Sequence, residues 1–286
     1  MKKRLYLSLS LLFILGTLLP DGLAAQVVSD KNITQVIFDS ETLKGWHIMQ
    51  KSADNSYYAT EENSFVRDGA ITCFQTPPEK KGGLLLSDGE YGDFELSLDF
   101  KNDWDCDSGV LFHCTESGKG IQVLNDYYQG GSMGFLLGQG TGSFFSAPYT
   151  MSAEDKDNGS IEIVAVDQYD AVDLDGLLFT ISATEFNKIW KHGEFNNLKI
   201  SCVGSEPKIT SWINGSKIME MDGRSYRARN LQATWYKKWD SPPAWDAERV
   251  REITGNKGHI ALQLHPGKRW KHGGVVQYKN IQIEEL

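Results

Sequence analysis

Gly258-His259-Ile260-Ala261-Leu262-Gln263-Leu264-His265, near the C-terminus, has a period of two. Ile260, Leu262 and Leu264 point one way; His259, Ala261, Gln263 and His265 point the other. That is a β-strand with one face in an apolar core and a second face carrying imidazoles and an amide. An outer face wetted by solvent more usually carries Lys, Glu and Thr. Imidazole and amide groups in one line suit a groove that handles a polar, hydroxyl-rich ligand.

The same alternation recurs along the chain. Phe94-Glu95-Leu96-Ser97-Leu98-Asp99-Phe100 sets four apolar residues against three polar ones, one face core and one face wet. Ser64 to Cys73 reads as a hairpin turned at Asp68-Gly69, and Lys199–Val203 with Lys208–Ile213 as another strand pair, turned back at Asn214-Gly215. Val110–Cys114, Ile121–Tyr127 and Val275–Ile283 add further strands. Helical periodicity is confined to Ala183–Ile189, opened by Ser182 as an N-cap, and to Ala244–Ile253 after Pro242-Pro243. Many short strands with Gly-rich turns predict an all-β, two-sheet antiparallel sandwich.

The first 25 residues read as a signal peptide that is removed. Lys2-Lys3-Arg4 is a basic n-region, Leu5 to Leu19 an apolar h-region, and Gly22-Leu23-Ala24-Ala25 a small-residue cleavage site. The apolar run is too short for a membrane span. Export to the periplasm or beyond, in a bacterium, is the expectation. Residues 26–286 then form a single domain with an acidic insertion at about 151–190, whose carboxylates read as a solvated loop in preference to a calcium-binding run. Cys106 and Cys114 are close enough in sequence to close a short loop if oxidised. A net charge of -9 with no basic stripe excludes a nucleic-acid partner.

Several landmarks, in order, carry a family resemblance. They are Phe38-Asp39 to Gly45-Trp46, Val66-Arg67-Asp68-Gly69, Tyr91-Gly92-Asp93-Phe94-Glu95-Leu96, Asp107-Ser108-Gly109-Val110-Leu111-Phe112-His113 and Gln122-Val123-Leu124-Asn125-Asp126-Tyr127. Gly193-Glu194-Phe195-Asn196, Ile213-Asn214-Gly215, Gly258–His265 and Tyr278-Lys279-Asn280-Ile281 complete the series. The chain thereby resembles the 3-keto-disaccharide hydrolase family as a divergent member. The resemblance implies a concanavalin-like jelly roll and cleavage of glycosides already oxidised at C3 of the sugar. It departs from the family pattern at Gly120, where a Glu is usual, and at Asp107, His113 and Asn125, where Asn, Arg and Asp are usual.

A C3 ketone acidifies the proton on C2, so a base can remove it and the C1 aglycone can leave; water then adds back. Such a site needs a base, a stabiliser for the enolate oxygen and an acid for the leaving group. Asp126 and His265 are the two expected acid/base residues, either one serving as base or as acid. Gln122, His113 and Gln263 are expected to bind hydroxyl or keto oxygens, with Asp107 and His259 completing the binding set. Trp104 is the candidate for stacking on a sugar face. A divalent metal such as calcium could serve as enolate stabiliser. The strand parity expects Glu95, Ser97 and Asp99 to share one concave sheet with Gln122, Asp126, His259, Gln263 and His265. Two other functions fit the same residues: a non-catalytic, lectin-like carbohydrate-binding module, and a surface interaction protein using the acidic insertion.

Overall fold

A strand that alternates apolar and polar residues is stable only when its apolar face meets another layer. This chain supplies enough such strands for two layers. The structure is a computed structural model, and it describes residues 33–49, 64–75, 82–141, 149–156, 159–167, 177–225, 246–267 and 270–286. In chain order the first strands are β1 (Thr34–Val36), β2 (Trp46–Ile48), β3 (Ser64–Arg67), β4 (Ala70–Cys73), β5 (Gly83–Tyr91) and β6 (Phe94–Asn102). Then come β7 (Ser108–Cys114), β8 (Gly120–Asn125), β9 (Met133–Gln139), β10 (Tyr149–Asp155), β11 (Ile161–Asp167) and β12 (Leu177–Thr180). The last are β13 (Asn196–Val203), β14 (Lys208–Ile213), β15 (Ser216–Asp222), β16 (Gly258–Leu264) and β17 (Val276–Glu285).

One sheet runs β12-β15-β14-β13-β6-β17-β4-β3, with β1 also on β17; the other runs β2-β5-β16-β7-β8-β9. The described pairings are antiparallel, and the two sheets form a jelly-roll sandwich. Phe94, Leu96, Leu98 and Phe100 of β6 are fully buried, as are Val110, Phe112, Ile121, Val123 and Ile260 of the opposing sheet. Phe94 meets Phe112 edge to face across the layers, 5.7 Å between ring centres. Tyr278, from β17, reaches across to Ser108 on β7.

The sheet order corrects one expectation. Glu95, Ser97 and Asp99 lie on β6, in the nine-stranded sheet, and share no sheet with β16. Their outer face is already occupied by the neighbouring strands: Lys199 pairs with Glu95 at 2.8 Å, and Asn280 Nδ2 donates to Asp99 at 2.7 Å.

A second correction concerns β16 itself. Every residue from Gly258 to Leu264 is buried. Register places Ala261 opposite Leu86 and Leu111, and Gln263 opposite Leu84. These leucines project on the same side as Ala261, forming with Met49 and Cys114 a second apolar cluster behind the main core. The strand therefore has two dry faces, the second with polar groups at both ends.

The acidic segment is a structured element where a loop was expected. β10 and β11 pair as a hairpin, and α1 (Ala183–Ile189) follows, capped by Ser182 Oγ as the sequence indicates. Asp167 accepts from the Ala183 amide at 2.9 Å, so this carboxylate serves the helix start. Asp157, Asp170, Asp173 and Asp175 lie outside the described residues. A second helix, α2 (Ala247–Thr254), is capped by Asp246; Ala244 and Trp245 lie outside the described residues. No described helix is long and apolar enough to cross a membrane.

All four cysteines are buried, and none is in a disulfide. Cys106 and Cys114 flank β7 at its two ends, a separation of about 20 Å or more for an extended strand. A disulfide needs Cα atoms within about 7 Å. Burial pushes the Cys106 thiol up to about 12.

Phe186 anchors α1, fully buried, stacked on Trp190 and tilted against Tyr149 of β10. Phe186→Ala is expected to lower unfolding free energy by about 3–5 kcal/mol, measured by denaturant titration; a loss under about 1 kcal/mol would show that α1 is not seated on the core.

Candidate functional site

At the C-terminal end of β16 the sequence delivers Gln263 and His265 beside the start of β7 and the end of β8. Gln122 Nε2 donates to Gln263 Oε1 at 2.6 Å, and Gln263 Nε2 donates to Gln139 Oε1 at 3.1 Å. Three amides from β8, β16 and β9 thus form a chain, with Gln122 and Gln263 nearly inaccessible to solvent. Ser108 Oγ donates to the Gln263 carbonyl at 2.6 Å and contacts Tyr278 Oη at 2.5 Å. Buried amides persist only when partnered, and here they partner one another.

His265 sits just past the strand. Its Nδ1 lies 2.8 Å from the Pro266 carbonyl and 3.5 Å from Asp107 Oδ2. Both partners are acceptors, which assigns the Nδ1 proton and puts the lone pair on Nε2. The His265 backbone is held on both sides, its amide by the Asp107 carbonyl and its carbonyl by Gln75 Nε2 at 2.7 Å. The side chain is 28% exposed and Asp107 only 5%.

Asp126 follows β8 and belongs to the same end of the sheet. Cys106 and Tyr127 exchange backbone hydrogen bonds, which sets Asp107 and Asp126 in facing positions. The register shift against β9 between Val123 and Asn125 puts its extra residue on β9. Pairing with β7 stays in step from Leu124 to Tyr127, so alternation along β8 carries Gln122 and Asp126 to one face. Asn102 Nδ2 donates to the Asn125 carbonyl at 2.6 Å. Among the described residues, Asn102 Oδ1 and Ser132 Oγ are buried without a hydrogen-bond partner. Such atoms cost about 1–3 kcal/mol each and mark a place where a polar ligand or water is expected. Burial, with Cys73 and Asp126 among the charges nearby, pushes the Tyr278 phenol well above its usual value.

Trp104 adjoins this end. It packs edge-on against Tyr127, 5.1 Å between ring centres, and Tyr127 Oη bonds His192 Nδ1 and accepts from Trp190 Nε1. Burial pushes the Tyr127 phenol up to about 12. His192, Trp190, Gln139 and Gln75 escaped the sequence reading because only the three-dimensional register brings them here; the parity of Leu137 and Gln139 on β9 was the one available signal.

Two expected binding residues stand elsewhere. His113 has a φ of 44°, a bulge conformation that breaks the alternation of β7. Its Nε2 lies 2.8 Å from the Gly92 carbonyl, and its ring packs on Phe94 and Phe112. It borders a cavity of about 190 Å³ with Asp93, Arg251, Thr254 and Asn256. Burial lowers its pKa, against the carbonyl of Gly92, which raises it. His259 lies at the opposite end of β16, with Nδ1 2.7 Å from the Ser87 carbonyl. The structure therefore gathers Gln122, Gln263, Asp107, His265 and Asp126, with Trp104 adjoining, and leaves out His113 and His259.

Two glycines shape the site. A Cβ on Gly109 would come 1.9 Å from Gln122 Nε2, so the bare backbone lets Gln122 lie across β7 to reach Gln263. A Cβ on Gly120 would meet Cys114 Cα at 3.0 Å and the Phe112 carbonyl at 3.1 Å. The bulge at His113 has brought β7 into the space that a longer side chain would occupy.

The sequence profile of the 3-keto-alpha-glucoside-1,2-lyase-like domain matches residues 34–284. No curated protein matches. Among solved structures, a provisionally assigned glycosyl hydrolase of Parabacteroides distasonis ATCC 8503 is 22% identical, over 89% of this chain and 100% of that one, with a TM-score of 0.46. A second such protein from that bacterium is 14% identical, over 88% and 94%, with a TM-score of 0.44. A Bacillus licheniformis beta-glucanase is 12% identical, over 90% and 99%, with a TM-score of 0.43.

Gly109→Ala is expected to displace Gln122 and lower stability by about 1–3 kcal/mol. Gly120→Glu is expected to be destabilising by at least as much, without gaining the chemistry of an added carboxylate. Melting curves of both variants test this; a Gly120→Glu protein of wild-type stability would show that the position is open.

Proposed function

The chain belongs to the 3-keto-alpha-glucoside-1,2-lyase-like domain family, and from that premise we propose that it is an exported carbohydrate-active enzyme cleaving 3-keto-glycosides or 3-keto-disaccharides. The observation that carries the reading is the Asp107–His265 pair beside the Gln122–Gln263 amides and Asp126. With the Nδ1 proton directed to Pro266 and Asp107, His265 Nε2 is the proton acceptor. It takes the proton from C2, and the electron pair moves to the C3 carbonyl oxygen as an enolate. Amide N–H groups of Gln122 and Gln263 are the donors for that oxygen. Collapse of the enolate restores the ketone, forms the C1–C2 double bond and breaks the bond from C1 to the aglycone oxygen. Asp126 is the proton donor to that oxygen, and water added across the double bond completes hydrolysis. Asp107 orients the imidazole and stabilises its protonated form. Trp104 is the sugar-stacking surface in this reading. Export rests on the leader-like residues 1–25.

A second reading, a carbohydrate-binding module without turnover, is favoured by one observation. Gly120 replaces the carboxylate usual in the family, and Cys114 and Phe112 close the space there. The deciding measurement is aglycone release from a 3-keto-glucoside by the purified protein, alongside calorimetric binding. Release is expected, and His265→Ala and Asp126→Asn should each reduce it by about 10²–10⁴-fold with little change in melting temperature. Binding without release would sink the enzyme reading in favour of the module. Large melting losses in both variants would assign those residues to the fold instead.

A further inference from the structure

The end of β16 away from His265 holds a second polar cluster that the proposed reaction does not use. His259 and His265 are six residues apart, about 20 Å along an extended strand, with the second apolar cluster between them. Five residues meet around His259: His47 on β2, Asp88 and Glu90 on β5, His259 itself, and Glu116 in the turn between β7 and β8. His47 Nδ1 lies 2.7 Å from Asp88 Oδ1, and His259 Nδ1 lies 2.7 Å from the Ser87 carbonyl. Both partners are acceptors, so both Nδ1 atoms carry the proton and both Nε2 atoms face the other way. They face one carboxylate: Glu116 Oε1 is 3.3 Å from His47 Nε2 and 3.2 Å from His259 Nε2. Glu90 Oε1 is 3.6 Å from His259 Nε2. The two rings stand edge to face at 87°, with centres 5.5 Å apart.

Neutral imidazoles held this way would aim lone pairs at a carboxylate, so a positive charge belongs between them. Doubly protonated rings would supply it through charge-assisted hydrogen bonds, which run at about 2.7–2.9 Å. The separations here are longer. They match the edge of a tetrahedron, about 3.3 Å when ligand bonds are about 2.0–2.1 Å. An imidazole whose Nδ1–H is tied to a carboxylate or a backbone carbonyl is also the usual support for a metal-binding Nε2. We propose that His47, His259 and Glu116, with Glu90 as fourth ligand, form a site for a divalent transition-metal ion of the zinc type. Two imidazoles with carboxylates favour such an ion over calcium, which takes an all-oxygen shell. As they stand, the side chains do not close around one point. Closure asks the carboxylates to turn, and Glu116 and Glu90 are 65% and 57% exposed. The imidazoles are already fixed by Ser87 and Asp88. The ion would fasten the edge strand β2 and the β7–β8 turn to the middle of the six-stranded sheet, and so act on stability.

The test is calorimetric titration of the chelator-treated protein with Zn²⁺ and with Ca²⁺, together with melting curves in each. One Zn²⁺ per chain and a higher melting temperature with Zn²⁺ but not Ca²⁺ are expected. His47→Ala and Glu116→Gln change side chains that are 35% and 65% exposed, outside the main core, so both variants should fold. Each should weaken Zn²⁺ binding by more than about 10-fold while leaving the metal-free melting temperature close to that of the wild type. Absence of stoichiometric Zn²⁺ binding would overturn the proposal, as would undiminished binding in both variants. The readouts do not involve sugar cleavage, so they stand whichever way that assay falls.

Discussion

β16 is buried on both faces at the centre of the six-stranded sheet, and its neighbours are arranged around that constraint. A polar side chain on a dry strand must find partners within the protein or lose about 1–3 kcal/mol. Gln263 finds Gln122 and Gln139, and His259 finds Ser87 and Glu116. Each solution places demands on a neighbouring strand. Gly109 must lack a side chain for Gln122 to cross β7, and Ser108 donates to the Gln263 carbonyl while meeting Tyr278 from the opposite sheet. The residues that the proposed reaction uses are therefore also the residues that allow the strand to be buried.

The bulge at His113 is the second organising feature, and it follows from the first. Register against β7 shifts between His259 and Ala261. Gly258 lies so close that a Cβ there would come 2.4 Å from the His113 carbonyl carbon. With His113 at positive φ, its ring turns inward to Phe94 and Phe112 and away from the Gln263 face. Cys114 in turn moves against Gly120. One local irregularity thus accounts both for the absence of His113 from the candidate site and for the closed space where the family carries a carboxylate.

Much of the fold was legible because its signals are local. Asp68-Gly69 turns the β3–β4 hairpin, and Asn214-Gly215 turns β14 back on β15, where the sequence associated it with the β13–β14 pair; Asp68 and Asn214 are both at positive φ. Phe94 to Phe100 alternates as a half-buried strand should, and Ser182 caps α1. What was not legible depends on pairing between distant segments. Parity assigns a residue to a face but not to a sheet, so Glu95 and Gln263 could not be separated by alternation alone. Nor does alternation reveal that Leu84, Leu86 and Leu111 dry the second face of β16. In the acidic segment, charge masked the strand pattern of Ile161-Glu162-Ile163-Val164-Ala165-Val166, which pairs with β10.

The two ends of β16 carry opposite electrostatic problems, and their distance keeps them apart. One end concentrates Asp88, Glu90 and Glu116 around two imidazoles; the other pairs His265 with Asp107 close to Asp126. At about 20 Å, two unit charges interact by about 1 kcal/mol even at an effective dielectric of about 20. That separation also exceeds the Debye length of about 8 Å at physiological ionic strength. Polar groups within reach of the His265 ring include Asp107 Oδ2 and the Pro266 carbonyl. The same strand thus holds carboxylates gathered around two imidazoles at one end and the His265–Asp107 pair at the other, too far apart for either set of charges to act strongly on the other.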